Sequence, residues 1–120
     1  MIPIYVLNHE AQTEVVFDPH QLPVGDSPAV QLMRVSVEAV RSYVMEPFDD
    51  LMRKGLHATI QLSINQLTSL RDIAQGTVVC DLSNNSEDRL ARNQVVATIA
   101  VSMFGWPPYM FSVSNKSMLN

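Results

Sequence analysis

Serine and asparagine residues follow three of the predicted strands, and they are the strongest candidates for binding a small molecule. In open α/β sheets, ligands bind beyond the carboxyl ends of parallel strands. Neutral hydroxyl and amide groups there would hydrogen-bond a small polar ligand without any cofactor. The same residue types are also preferred in helix caps and turns, and that structural interpretation is favoured. The candidate ligand-binding residues are Ser63, Asn65, Ser83, Asn84, Asn85 and Asn115.

The single cysteine and the histidines give little support for catalysis or for a metal site. Cys80 ends the apolar run TVVC, where a free cysteine is usually a small core residue and not a reactive thiolate. His9, Glu10, Asp18 and His20 could meet if their segments form a hairpin, and two imidazoles with carboxylates can hold a metal. A solvated hairpin is the favoured interpretation, so no metal site is predicted.

Known catalytic motifs are missing from the sequence. It contains no phosphate-binding loop, dinucleotide fingerprint, nucleophile elbow or zinc-ligand spacing. The adjacent pair Asp49 and Asp50 would point in different directions on a helix, so shared acid–base work is not expected. An enzyme is therefore the less favoured interpretation.

The segment from Asn93 to Asn115 contains no charged residue. Gly105 and the pair Pro107-Pro108 interrupt it, so it does not supply the roughly twenty continuous apolar residues of a membrane span. A buried core and an exposed protein interface both remain open for the segment. For Trp106 and Tyr109, which flank the proline turn, the two alternatives are equally supported. The candidate partner-binding residues are Phe104, Trp106, Tyr109 and Phe111.

Composition narrows the class of protein. Apolar residues make up 47% of the chain and the formal net charge is −4, which are values of a globular protein. With 8 lysines and arginines against 12 acids, the chain lacks the clustered positive charge that nucleic acid requires. One cysteine and an N-terminus without signal-peptide features predict a cytoplasmic protein. A viral or phage origin is a hypothesis only.

Three segments predict the first structural elements. IPIYVL and TEVVF form a predicted β-hairpin. A helix is predicted from Ser27, as N-cap before Pro28, to Lys54, because apolar residues recur every three or four positions. Pro47 predicts a kink or break within that helix.

Residues 56–75 fit two structures. Strict alternation from Leu56 to Ile64 favours a strand followed by a helix, although a single helix through Ile60 and Ile64 also fits. A strand is predicted at TVVCDL, a helix from Asn85 or Ser86 to Phe104, and a last strand at YMFSVS.

The predicted order is ββαβαβαβ in one domain of the α/β class, with mixed α+β as the alternative. Helical crossovers imply that the last three strands are parallel in a mixed sheet with helices packed on it.

Two functions follow from these observations. The first is a non-enzymatic interaction or assembly module that binds a protein partner or itself as a homodimer, an accessory, inhibitor or immunity-type protein, with no nucleic acid, membrane or cofactor. The second is a domain or minor enzyme that binds a small polar ligand at the serine and asparagine residues.

Overall fold

The computed structural model describes residues 2–44 and 49–119, and these form eight elements. The strands are β1 (Ile4–Asn8), β2 (Thr13–Phe17), β3 (Gln75–Val79), β4 (Val96–Ser102) and β5 (Tyr109–Ser114). The helices are α1 (Pro28–Tyr43), α2 (Asp50–Ser69) and α3 (Glu87–Ala91). The fold is mixed α+β, as the coarser prediction allowed, but the order is ββααβαββ.

All five strands lie in one sheet in the order β2-β1-β5-β4-β3. Every neighbouring pair is antiparallel, so the expectation of a mixed sheet with three parallel strands is wrong. The segment predicted as the last helical crossover contains strand β4, which is antiparallel to both β3 and β5, and the connection from β4 to β5 at residues 103–108 is too short for a crossover.

Two segments differ in type from the predictions made for them. Residues 56–69 belong to helix α2, the less favoured alternative, and the buried Leu56, Ile60, Ile64 and Leu67 lie on one face of it. Asp49 is its N-cap and accepts a hydrogen bond from the Met52 amide at 2.9 Å. Helical geometry here brings the apolar row against the sheet, which overrides the β propensity of single residues.

The second difference is strand β4, which was predicted as part of a helix ending at Phe104. Only Glu87–Ala91 is helical, with Ser86 as N-cap. In β4 the residues facing the core are Ala97, Ile99 and Val101, which alternate with partly exposed positions. Alternation of that kind is the period of a strand with one buried face.

The hydrophobic core lies between one face of the sheet and the helices. Cross-strand partners share a face, so Val6, Val113 and Ala97 lie side by side on the buried one. Helix α1 packs against β1 and β5, and α2 packs against α1 and β3. The opposite face carries more polar partners, among them Ser112 and Thr98.

Helix α1 begins where the sequence predicted it. Ser27 is its N-cap, and the Ser27 hydroxyl accepts a hydrogen bond from the Val30 amide at 3.2 Å. The helix ends at Tyr43, and the kink predicted at Pro47 lies outside the described residues.

Two arginines of α1 hold the loop that leads into the helix. Arg41 donates hydrogen bonds to the backbone carbonyls of Phe17, Asp18 and Gln21 at 3.0–3.3 Å. Arg34 donates to two carbonyls farther along the loop, at 2.9 and 3.0 Å. Both contacts are made to the main chain of the loop.

Candidate functional site

The turn between β4 and β5 exposes two large aromatic side chains. Phe104 is 60% exposed and Trp106 is 71% exposed. The backbone amide of Trp106 donates to the Met103 carbonyl at 3.2 Å, and Gly105 has a φ of +78°, which is the left-handed region that glycine adopts without strain. The backbone hydrogen bond, the glycine and the two following prolines fix the shape of this turn.

A groove with a volume of about 360 Å³ lies beside the turn. Its lining includes Trp106 and Pro108 from the turn and Val30 and Met33 from α1. Glu10, from the β1–β2 turn, is among the lining residues. The groove is mainly apolar and its volume is within the range of ordinary ligand pockets. We call Phe104, Trp106, Tyr109 and this groove the aromatic surface.

Tyr109 connects the aromatic surface to the core. Its hydroxyl accepts a hydrogen bond from the Asn8 side-chain amide at 3.0 Å, and its ring lies 5.8 Å from the ring of Phe111. Burial raises the pKa of Tyr109, partly offset by that hydrogen bond. Phe111 has no exposed area at all and belongs to the core, so it is not available to a partner in this conformation. The four aromatic candidates therefore divide into the exposed Phe104 and Trp106, the half-buried Tyr109 and the core residue Phe111.

Asparagines gather at the opposite end of β4, but their amides are already used by the protein. The Asn84 side chain donates to the carbonyls of Val79 and Val96 at 2.7 and 3.3 Å and accepts from the Asp81 amide at 3.0 Å. Asn85 is fully buried, donates to the Val96 carbonyl and accepts from the Val96 amide at 2.7 Å. These side-chain amides form hydrogen bonds with backbone groups that are not paired between strands. Their role is therefore structural.

Two further candidate ligand-binding residues, Asn115 and Ser83, are also engaged in hydrogen bonds within the protein. Asn115 accepts from the Val95 amide at 3.1 Å and donates to the Asn93 carbonyl at 2.6 Å. Ser83 donates to the Asp81 carboxylate through both its amide and its hydroxyl, and these bonds lower the pKa of Asp81. A ligand would have to displace bonds that hold the loop together.

Ser63 and Asn65 do not join this group. Both lie within α2, so neither follows a strand, and the geometric reason for choosing them is wrong. The Ser63 hydroxyl donates to the Thr59 carbonyl one turn back at 3.4 Å, and Asn65 accepts from the Gln61 amide at 2.9 Å. Both residues were chosen because residues 56–64 were predicted to form a strand, and that segment is helical.

The residues considered for a metal lie at two ends of the hairpin. His9 and Glu10 follow β1 at the turn, whereas Asp18 and His20 follow β2 at the far end. In residues 2–44 and 49–119, no three His, Cys, Asp or Glu side chains are grouped so that they could hold a metal ion.

Cys80 is a core residue, as its apolar neighbours predicted. It is fully buried, and burial raises the pKa of its thiol to about 12, partly offset by the positive charge of Arg53. Arg53 also donates to the Cys80 carbonyl at 2.5 Å and to Asp50 at 2.7 Å. A thiol with this pKa is not a nucleophile at neutral pH.

One chain of hydrogen bonds, on the face of the sheet opposite the core, had no recognisable pattern in the sequence. The imidazole Nε2 of His9 lies 2.6 Å from the Ser112 hydroxyl, which lies 2.8 Å from the Thr98 hydroxyl. Ser112 is only 3% exposed and sits in the central strand, whose neighbours on both sides are paired with it. It could not have been found without the register of β1, β5 and β4.

Comparison with family models, curated proteins and solved structures finds no match to this chain. Within the residues that the structure describes, no helix has both the length and the hydrophobicity needed to cross a membrane.

Proposed function

We propose that the protein is a non-enzymatic interaction module that binds a protein partner, or a second copy of itself, through the aromatic surface. One observation carries this proposal: Phe104 and Trp106 project into solvent from a fixed turn beside an apolar groove. Large exposed aromatic side chains are costly to hydrate and are enriched at protein contacts. Tryptophan is enriched among the few residues that dominate the binding energy of such contacts.

The groove suggests how the partner is bound. Its walls of Val30, Met33 and Pro108 would receive one apolar side chain, while Trp106 would cover it. Methionine is flexible and polarizable, so Met33 and Met103 can adapt to the shape of the incoming group.

The one serine–histidine pair described above supports binding over catalysis. A serine nucleophile needs an exposed hydroxyl and backbone N–H groups free to stabilise the oxyanion. Ser112 is buried, bonded to Thr98, and placed in a strand paired on both sides. The same pair is therefore better explained as a structural contact across the sheet.

Trp106 is the only tryptophan, so its fluorescence reports directly on the aromatic surface. We expect acrylamide to quench the free protein strongly. If the partner is a second copy, the molar mass from light scattering should rise with protein concentration, while Trp106 emission shifts to shorter wavelength. Trp106→Ala should abolish the rise and change the free energy of unfolding by less than about 0.5 kcal/mol, because it replaces a surface residue.

Leu51→Ala is the matched control. Leu51 is 72% exposed on α2, close to the 71% of Trp106, and lies outside the aromatic surface. It should leave association unchanged. If the protein stays monomeric, a foreign partner should be retained by the wild type and by Leu51→Ala but not by Trp106→Ala. Equal behaviour of all three proteins in both assays would overturn the proposal.

A further inference from the structure

A second groove lies at the other end of β4 and β5, and it is lined by basic and polar residues instead of apolar ones. Its volume is about 430 Å³, and it is lined by Arg89, Arg92 and Lys116 together with Asn84, Gln94 and Ser117. Val96, the first residue of β4, lies at this groove, whereas Met103 follows the end of the same strand at the aromatic surface. A strand of this length separates the two sites by roughly 20 Å.

The charge of this groove stands out against the rest of the chain. The protein has 8 basic residues and a net charge of −4, yet three of the basic residues meet here. Among the described residues, neither Arg89 nor Lys116 has a carboxylate within salt-bridge distance, whereas Arg92 pairs with Asp88. Arg89 and Lys116 line the same groove without a carboxylate to pair with, and an anion bound between them would offset their mutual repulsion.

The arrangement also suggests what size of anion fits. Arg89 and Arg92 are three positions apart at the end of α3, so their side chains start from one face of the helix about 5–6 Å apart. Guanidinium groups donate paired hydrogen bonds to phosphate or carboxylate oxygens. The Asn84 amide and the Ser117 hydroxyl already donate within the protein, so Gln94 is the lining side chain that could add a neutral donor. A small anion with several oxygens suits this set.

The wall that carries Lys116 is held in place by the rest of the protein. The Glu14 carboxylate accepts hydrogen bonds from the Ser117 hydroxyl and from the Met118 amide, each at 2.7 Å. On the other side, Asn115 bridges to the chain around Asn93 and Val95. The backbone that carries Lys116 is therefore fixed before any ligand binds, which limits the ordering that binding requires.

We propose that this groove binds a small multivalent anion, either a phosphate compound or a polycarboxylate. Arg89 and Lys116 are its principal ligands, and Arg92 joins them by exchanging its contact with Asp88. The site is separate from the aromatic surface and adds a ligand-binding function to the interaction module proposed above. It uses basic side chains, in contrast to the serine and asparagine residues that the sequence suggested.

Calorimetric titration with inorganic pyrophosphate and, separately, with citrate tests the proposal at constant ionic strength. We expect saturable binding of at least one anion, and the stronger of the two identifies phosphate or carboxylate chemistry. Lys116→Gln and Arg89→Gln should each weaken it about tenfold or more, since each removes a charged hydrogen-bond donor. Sodium chloride at the same ionic strength should produce no saturable heat.

Arg71→Gln is the control for loss of charge, because Arg71 is exposed and lies outside the groove. It should bind as the wild type does. Lys116 is exposed, so its replacement leaves the fold intact and keeps the test decisive. No saturable binding, or equal losses for Lys116→Gln and Arg71→Gln, would overturn the proposal.

Discussion

The burial of a charged residue, Arg53, is explained by the groups that its polar atoms contact. Arg53 is 8% exposed, and its guanidinium group bonds both Asp50 and the Cys80 carbonyl. The bond to Asp50 raises the pKa of Arg53 and lowers that of Asp50. A buried carbonyl beside an irregular loop is thus supplied with a donor, which avoids the cost of an unpaired polar group.

Cys80 should be protected from thiol reagents in the native protein. Because burial raises its pKa to about 12, almost no thiolate is present at pH 8, and the side chain is also inaccessible. Ellman's reagent should react slowly with the native protein and quickly in denaturant. Equal rates in the two conditions would show that the thiol is exposed.

The same pKa predicts how stability changes at alkaline pH. The folded state favours the neutral thiol, so this stabilisation is complete below the ordinary thiol pKa of 9.0 and is lost as pH rises towards 12. The loss is at most about 4 kcal/mol for a thiol pKa raised from 9.0 to about 12. Tyr109, whose pKa is also raised, adds to the decline. Urea titrations of the wild type and Cys80→Ala should therefore converge at high pH.

Residue-scale predictions from the sequence succeeded where the local chemistry is decisive. Ser27 and Ser86 are N-caps, because a serine before a proline or an acidic turn can satisfy the first free amides of a helix. Cys80 is buried, as a thiol among valines predicts. The exposure of Trp106 could not be predicted, since it depends on which side of the turn the helices cover.

At the scale of elements, the wrong helix ends and the missed strand β4 came from positions occupied by glycine and alanine. The predicted helices ended at Lys54 and Phe104, each just before a glycine, but Gly55 lies inside α2 and Gly105 lies in a turn between strands. In β4, Ala97 and Ala100 lie on opposite faces, so the apolar pattern does not alternate clearly. The β-branched Val96, Thr98 and Ile99 gave the signal that could have identified the strand.

Gly55 has a packing role in the contact between α1 and α2. A Cβ atom at this position would lie 2.8 Å from Cε1 of Tyr43 and 3.1 Å from its hydroxyl. Alanine in a helix interior normally adds about 1 kcal/mol of stability relative to glycine. Here we expect Gly55→Ala to lower the free energy of unfolding by about 1–2 kcal/mol, because the Tyr43 ring must move.

A double-mutant cycle measured by chemical denaturation separates the gain in helix propensity from the clash with the Tyr43 ring. In a Tyr43→Ala background the ring is absent, so Gly55→Ala should stabilise the protein. The same destabilisation in both backgrounds would mean that the ring is not the cause.

At the scale of the whole molecule, the strand order determines which parts open first. β5 lies at the centre with partners on both sides, while β2 and β3 are the edges. Sequence patterns placed the β1–β2 hairpin correctly, since its pairing is local. They could not place β5 between β1 and β4, because that order depends on contacts about a hundred residues apart.

Hydrogen exchange measured by NMR should reproduce this order. Amides of β5 and β4 that face a neighbouring strand should exchange only by global unfolding, whereas those on the outer sides of β2 and β3 should exchange far faster. Val15 and Val16 of β2 are 54% and 45% exposed, which agrees with an unprotected edge. Strong protection of β2 on its outer side would indicate a further strand or a partner there.

The loop before α1 is attached to the helix by Arg34 and Arg41 through carbonyl oxygens alone. Every amino acid provides that oxygen, so these attachments do not depend on the side chains of the loop residues that accept them. Substitution of an exposed loop residue such as Val24 should therefore leave both attachments in place. The specific half of each attachment is the arginine, so replacing Arg34 or Arg41 in the helix should disturb the loop more than replacing Val24 within it.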